Sequence, residues 1–114
     1  MIKIKKNPYR SKSDISEEDA YKLGEVLELI NQLELFTQDS KDKFSKIRTS
    51  NVNNYMNKIS EKLSFYSRNN FNKGRKHGEK ESWSLFIVLN KKQLRNYQHS
   101  LIDEADVIIE KNNL

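Results

Sequence analysis

Trp83-Ser84-Leu85-Phe86-Ile87-Val88-Leu89 is the longest apolar run in the chain, and its interpretation decides the predicted fold. Alternate residues of the run are apolar on both faces of an extended chain. A short run of this kind, rich in β-branched and aromatic residues, is typical of a strand that is covered on both sides. We therefore predict a strand over 83–89, with Trp83 as a core anchor at its start.

A helix is predicted directly after this strand. Asn90 stands where an N-cap is needed, and Gln93 three positions later completes an Asn variant of the capping box. From Leu94 onwards, apolar residues recur along one arc of a helix: Tyr97, Leu101, Ile102, Ala105, Ile108 and Ile109. We expect this helix, near 91–111, to cover the sheet to which the strand belongs.

A second amphipathic helix is predicted near 16–36, where Ser16 and an acidic first turn provide the start. Carboxylates at spacings of three, four and seven gather on one side of it: Glu17, Glu18, Glu25 and Glu28. A row of carboxylates can imitate a phosphate strand, so this row is a candidate partner-binding surface. A solvated helix face is the alternative interpretation.

Residues 51–66 fit both a helix and a strand. We predict a strand near 62–68, because the strand over 83–89 needs a partner for its backbone hydrogen bonds. A helix in this segment remains an open alternative. With the strand, residues 69–81 become the long polar loop of a hairpin, and loops of that length are often functional.

Basic side chains and one aromatic ring are concentrated in and beside this loop: Arg68, Phe71, Lys73, Arg75, Lys76 and Lys80. Such a set could contact a phosphate backbone and stack on one base. Residues 1–13 add further positive charge through Lys5, Lys6 and Arg10. We predict that this segment is a flexible basic arm, with an edge strand that ends at Pro8 as the alternative.

The charge of the chain changes sign in blocks. Residues 1–12, 13–39, 40–80 and 81–114 carry net charges of +5, −7, +8 and −1, for a total of +5. Blocks of opposite sign are typical of a protein that meets a polyanion or a charged protein surface. Neutralisation of the acidic helix by the basic segment of the same chain is the alternative.

Several classes of protein are disfavoured by composition. The 114 residues include no cysteine and only two histidines, so we expect no disulfide, no metal site and no cofactor. No glycine-rich phosphate-binding motif, signal peptide or membrane span is present. We therefore expect a non-enzymatic, cytoplasmic protein of a bacterial host, with a single domain over 14–114.

Together these features predict an α+β domain: a small antiparallel sheet, with strands near 62–68 and 83–89, packed against helices near 16–36 and 91–111. Two segments carry a resemblance, Lys62-Leu63-Ser64-Phe65-Tyr66 and Leu85-Phe86-Ile87-Val88-Leu89-Asn90-Lys91, the second leading into Ile108-Ile109-Glu110-Lys111. In layout, over about half the chain, they resemble small accessory proteins of phages and mobile elements of Gram-positive bacteria, in particular some type II-A anti-CRISPR proteins.

This resemblance implies an inhibitor that binds an RNA-guided nuclease and blocks loading or cleavage of target DNA. The acidic row would then face arginines that normally read DNA, or the basic loop would face guide RNA. The alternative function is a small DNA- or RNA-binding regulator that uses the basic arm and the 68–80 loop. A structural or oligomer-forming component is a third interpretation.

Overall fold

The computed structural model describes residues 13–37 and 52–114, and these form four helices. The helices are α1 (Glu17–Thr37), α2 (Val52–Lys62), α3 (Phe65–Val88) and α4 (Lys91–Lys111). The only β-type pairing in the described ranges is an isolated bridge between Ser13 and Leu63. The predicted α+β fold with an antiparallel sheet is therefore wrong, because the described chain is a helical bundle.

Helix α1 lies at the centre of this bundle. Apolar side chains over about half of its circumference are buried, and they supply much of the core: Ala20, Leu23, Val26, Leu27, Leu29, Ile30 and Leu33. Gly24, Glu25 and Glu28 extend the covered surface of α1 beyond this arc, so that the helix needs neighbours on several sides. Here α2, α3 and α4 are those neighbours, and each contacts α1 more extensively than it contacts the others.

The directions of the helices follow from their contacts. Helix α3 runs parallel to α1, because Ser67 bonds the backbone of Ile15 at its start and Gly78 approaches Glu25 further along. Helix α4 runs antiparallel to α1. Its buried Gln98 donates to the carbonyl of Ile30 at 3.3 Å, while its last turn reaches back to the start of α1.

Glycines bring the backbones of α1 and α3 into direct contact. A Cβ atom placed on Gly24 would lie 2.0 Å from the carbonyl oxygen of Phe71, and one on Gly74 would lie 2.0 Å from that of Tyr21. A Cβ on Gly78 would meet the carbonyl oxygen of Glu25 at 2.6 Å. Only glycine permits such an approach, as in other helix pairs joined through small residues. We call this contact the glycine seam.

The buried face of α3 is made largely of small or polar residues: Ser67, Asn70, Phe71, Gly74, Gly78 and Ser82. Their spacing of three or four residues is helical. The predicted loop over 69–81 is therefore wrong, since this segment is part of a helix and its glycines serve a helix crossing.

The predicted strand over 83–89 is wrong as well, because residues up to Val88 form the last turns of α3. In a helix the side chains of the apolar run no longer alternate between two opposite faces. Its side chains spread around the axis, so that Leu85 and Phe86 pack against the core while Trp83, Ile87 and Val88 are exposed. Trp83 is thus not a core anchor, and the predicted partner strand near 62–68 has nothing to pair with.

Residues 52–62, which belong to the segment whose pattern fits both a helix and a strand, form helix α2. Val52, Met56 and Ile59 of α2 are buried at helical spacing, and Leu63 closes the same apolar face. Ser64 then caps α3 by accepting a hydrogen bond from the amide of Ser67. The strand favoured for 62–68 is replaced by a two-residue connection between α2 and α3.

The two helices predicted near 16–36 and 91–111 are present as α1 and α4. At Asn90 both hydrogen bonds of the capping box form, at 2.8 and 2.9 Å to and from Gln93. These helices pack against other helices, however, and not against a sheet. The predicted basic arm, its alternative edge strand and the side chains of Lys5, Lys6 and Arg10 lie outside the described residues.

Candidate nucleic-acid interface

The acidic row of α1 is divided between solvent and the interior. Glu17 and Glu18 are exposed in the first turn, whereas the side chains of Glu25 and Glu28 are only 14% and 8% exposed and face α3. The structure therefore does not present these four carboxylates as one continuous exposed surface.

Glu28 is held by three partners. Its carboxylate accepts a hydrogen bond from Arg75 Nε at 3.0 Å, from Gln32 Nε2 at 2.8 Å and from Asn31 Nδ2 at 3.4 Å. The guanidinium of Arg75 also donates to Asn53 of α2 at 3.3 Å. A nearly buried carboxylate requires such partners, because removing its charge from water without compensation is costly.

Glu25 is bound in a similar way. Its carboxylate lies 2.5 Å from His77 Nδ1 and 3.6 Å from Lys22 Nζ, and the other ring nitrogen of His77 lies 3.9 Å from Glu81. Burial would by itself lower the pKa of Lys22, but the charges of Glu104 and Glu25 outweigh burial and raise it above its ordinary value. These contacts join α1 to α3 and α4 along one edge of the glycine seam.

Two of the predicted basic residues are thus engaged within the chain. Arg75 neutralises Glu28, and Arg68 donates to the carbonyls of Ser60 and Leu63 at 3.1 and 3.4 Å, which completes the end of α2. The charge blocks left open whether the basic segment neutralises the acidic helix of the same chain. The ion pair between Arg75 and Glu28 is neutralisation of this kind. Arg68 and Arg75 act first as structural residues.

Phe71 is not exposed beside the basic residues, so its ring is not accessible for stacking on a base. Its side chain is fully buried beneath α1, next to Gly24. A nucleic-acid base could reach the ring only if α1 and α3 separated. The expectation that Phe71 stacks on a base therefore fails for the folded protein.

The remaining predicted residues of the former loop share one exposed face of α3. Lys73, Lys76 and Lys80 are exposed and follow one another at spacings of three and four residues. That spacing places them on the side of the helix opposite the glycine seam. We call these three residues the lysine row.

Trp83 and Ile87 continue the same face. The spacing of 73, 76, 80, 83 and 87 alternates between three and four, so the five side chains form one stripe. Trp83 is 62% exposed and Ile87 is 83% exposed. The sequence did not predict this stripe, because the three lysines were expected in a loop and Trp83 and Ile87 in a strand.

Two open surface depressions are lined in part by carboxylates of α1. The first, of about 440 Å³, is lined by Glu28, Asn69, Asn72, Arg75, Lys76 and Glu79. The second, of about 610 Å³, is lined by Glu17, Glu18, Tyr21, Lys22 and Glu25. Both carry charges of both signs, and neither gathers the constellation of nucleophile and base that covalent catalysis requires.

Within residues 13–37 and 52–114, no three histidine, aspartate or glutamate side chains come together in a way that could hold a metal ion. None of the four described helices has the length and apolar character needed to cross a membrane. Comparison with protein-family models, with curated proteins and with solved structures finds no match for the chain. The resemblance to anti-CRISPR proteins therefore stays a prediction.

Proposed function

We propose that this protein is a small, non-enzymatic, nucleic-acid-binding protein that places the exposed face of α3 along a phosphate backbone. The observation that carries the proposal is the lysine row, in which three ammonium groups lie on one side of a rigid helix. Contacts of this kind supply most of the affinity of non-specific nucleic-acid binding. A cytoplasmic location in a bacterial host fits this function.

The distribution of charge within the fold supports the proposal. Helix α3 carries five basic and two acidic side chains, whereas α1 carries six acidic and one basic. The acidic excess of α1 is partly neutralised at the seam by Arg75, which pairs with Glu28. Lys73, Lys76 and Lys80 point away from that seam, so their charge is directed to solvent and to a ligand.

The inhibitor of an RNA-guided nuclease remains a prediction that these observations favour less. One of the two surfaces predicted for it is the row of four carboxylates, and Glu25 and Glu28 are bound to α3. Glu17 and Glu18 alone would have to supply the imitation of a phosphate strand. A nuclease partner approached through its guide RNA would use the lysine row instead.

The test is a salt titration of binding to fluorescently labelled oligonucleotides by the triple variant Lys73→Gln, Lys76→Gln, Lys80→Gln. Each lost phosphate contact lowers the slope of log K against log salt by about 0.7 to 0.9, so we expect a decrease of roughly 2 to 3. The matched control replaces three exposed lysines elsewhere, Lys58, Lys62 and Lys91, with glutamine. The control has the same net charge and should keep most of the slope.

Circular dichroism should show that both triple variants remain helical, because all six side chains are exposed. Equal slopes for the two variants would mean that binding depends on net charge and not on the lysine row. Absence of binding by the unmodified protein at physiological salt would refute the proposed function.

A further inference from the structure

Trp83 is the one tryptophan of the chain, and the fold leaves it on the surface beside the lysine row. It lies one helical turn beyond Lys80 and ten positions after Lys73. At about 1.5 Å of rise per residue, the stripe from Lys73 to Trp83 is roughly 15 Å long. A flat aromatic ring thus ends a line of three positive charges.

The ring of Trp83 is supported from one side. It contacts Phe86 edge to face, with ring centroids 5.9 Å apart and an angle of 82° between the ring planes. Phe86 is itself half-buried and packed against the core. This anchor restricts the rotation of the indole while 62% of the side chain stays exposed.

Exposed aromatic rings that stand among lysines suit a ligand that is both anionic and aromatic. In single-stranded nucleic acids the phosphates alternate with unpaired bases, whose faces are open to stacking. In a duplex the base faces are covered by neighbouring bases, and only their edges are accessible in the grooves. A ring at the surface of a rigid helix can therefore stack on a base of a single strand but not of an intact duplex.

We infer that the lysine row and Trp83 form a binding site for single-stranded nucleic acid, in which the lysines contact phosphates and the indole stacks on a base. This inference rests on the proposed function and adds to it the class of nucleic acid. It assigns to Trp83 a role in selecting single strands, which the lysines cannot supply because both forms carry phosphates.

The single tryptophan makes the site directly observable. We would titrate the protein with oligo(dT) and with a duplex of equal length, and follow both the intrinsic fluorescence of Trp83 and the anisotropy of labelled oligonucleotide. Stacking should quench the fluorescence with oligo(dT) and leave it nearly unchanged with the duplex.

The variant Trp83→Ala should weaken binding of oligo(dT) by about 5-fold to 150-fold, the range for loss of one stacked base, and leave duplex binding unchanged. Trp83→Phe should keep most of the affinity, because a ring remains. Ile87→Ala is the matched control: it shortens an exposed apolar side chain of the same stripe, and we expect less than a 2-fold change.

The possible failures can be told apart. If oligo(dT) and duplex bind equally well, and Trp83→Ala changes neither, the inference is overturned while the lysine row keeps its proposed function. An equal loss of affinity in Ile87→Ala and Trp83→Ala would also overturn it, since stacking would not be the cause. If neither nucleic acid binds, the proposed function and the inference fail together.

Discussion

Replacement of Gly74 by alanine is the most direct test of how α1 and α3 are held together. The added Cβ would lie 2.0 Å from the carbonyl oxygen of Tyr21 and 2.9 Å from the amide nitrogen of Glu25. Both are backbone atoms, which cannot rotate away as the end of a side chain can. Because carbon and oxygen rarely approach closer than about 3.3 Å, the two helices must separate by roughly 1 Å.

The expected cost follows from this separation. A gap of 0.5 to 1 Å removes a quarter to a half of the dispersion energy of each contact along the seam, and overpacking of a core usually costs about 1 to 3 kcal/mol. Alanine gains about 1 kcal/mol over glycine in a helix. For a seam along the longest helix we set the cost of separation at about 2 to 4 kcal/mol, so the net loss in the free energy of unfolding should be about 1 to 3 kcal/mol.

Urea unfolding followed by far-ultraviolet circular dichroism measures this loss. Gly24→Ala should resemble Gly74→Ala, since its Cβ would also lie 2.0 Å from a backbone oxygen, and Gly78→Ala should lose less, since its nearest contact is 2.6 Å. Ser84→Ala, at an exposed position of α3, is the control for helix propensity and should be neutral or slightly stabilising. Gly74→Ala as stable as the unmodified protein would show that the backbones do not touch at this point.

Two further predictions concern buried charge. Burial raises the pKa of Glu34 above its ordinary value, and its Oε2 has no hydrogen-bond partner in the described part of the chain. The ionised carboxylate therefore destabilises the fold, and Glu34→Gln should raise the free energy of unfolding by roughly 1 kcal/mol at pH 7. A folded-state pKa above the unfolded one destabilises only while the carboxylate is ionised in the folded protein. The gain should therefore shrink as the pH falls through the raised folded-state pKa, and it should be absent below 4.5 in chemical-denaturation measurements. A gain independent of pH would contradict the reasoning. Arg75→Met should lower the free energy of unfolding by about 1 to 2 kcal/mol, because the nearly buried Glu28 loses its charged partner. The neighbouring substitution Lys76→Met should change the free energy of unfolding by less than about 0.5 kcal/mol. Equal effects of the two substitutions would mean that the ion pair contributes nothing.

The elements that the sequence predicted correctly are those whose buried face is apolar. Helices α1 and α4 repeat large apolar residues at helical spacing, and the capping box at Asn90 marks the start of α4. For α2 the same periodicity was present but a strand fitted as well. The choice of a strand depended on the need to find a partner for 83–89, so one wrong element produced a second.

Helix α3 escaped prediction because hydrophobic periodicity detects only apolar faces. Its buried stripe is formed mainly by serine, asparagine and glycine, residues that on their own are typical of loops. The signal that could have revealed it is the spacing of Gly74 and Gly78, with Ser82 four residues further on and Gly24 available on another helix. Small residues at intervals of four indicate a close helix crossing.

The sequence points to the three lysines of the candidate site but not to Trp83, and this difference has a physical reason. The three lysines were chosen for their charge, which does not depend on whether they lie in a loop or on a helix. Arg75 is predicted for its charge and Phe71 for its aromatic ring. The pairing of Arg75 with a buried carboxylate and the burial of Phe71 beneath α1 depend on tertiary contacts that no local pattern reports. Trp83 was assigned to the core for the same reason that 83–89 was assigned to a strand.

The glycine seam also explains why the exposed stripe can be a specific surface. A helix whose buried face is wide and apolar can shift its rotation slightly without losing much contact, since many side chains adjust together. Gly74 and Gly78 allow no such adjustment, because a rotation of α3 would drive its larger side chains into the backbone of α1. The ion pair between Arg75 and Glu28 and the contact between His77 and Glu25 lock the same orientation. The residues that hold α3 against α1 therefore also determine where its lysines and tryptophan point, and a substitution at the seam should weaken both folding and binding.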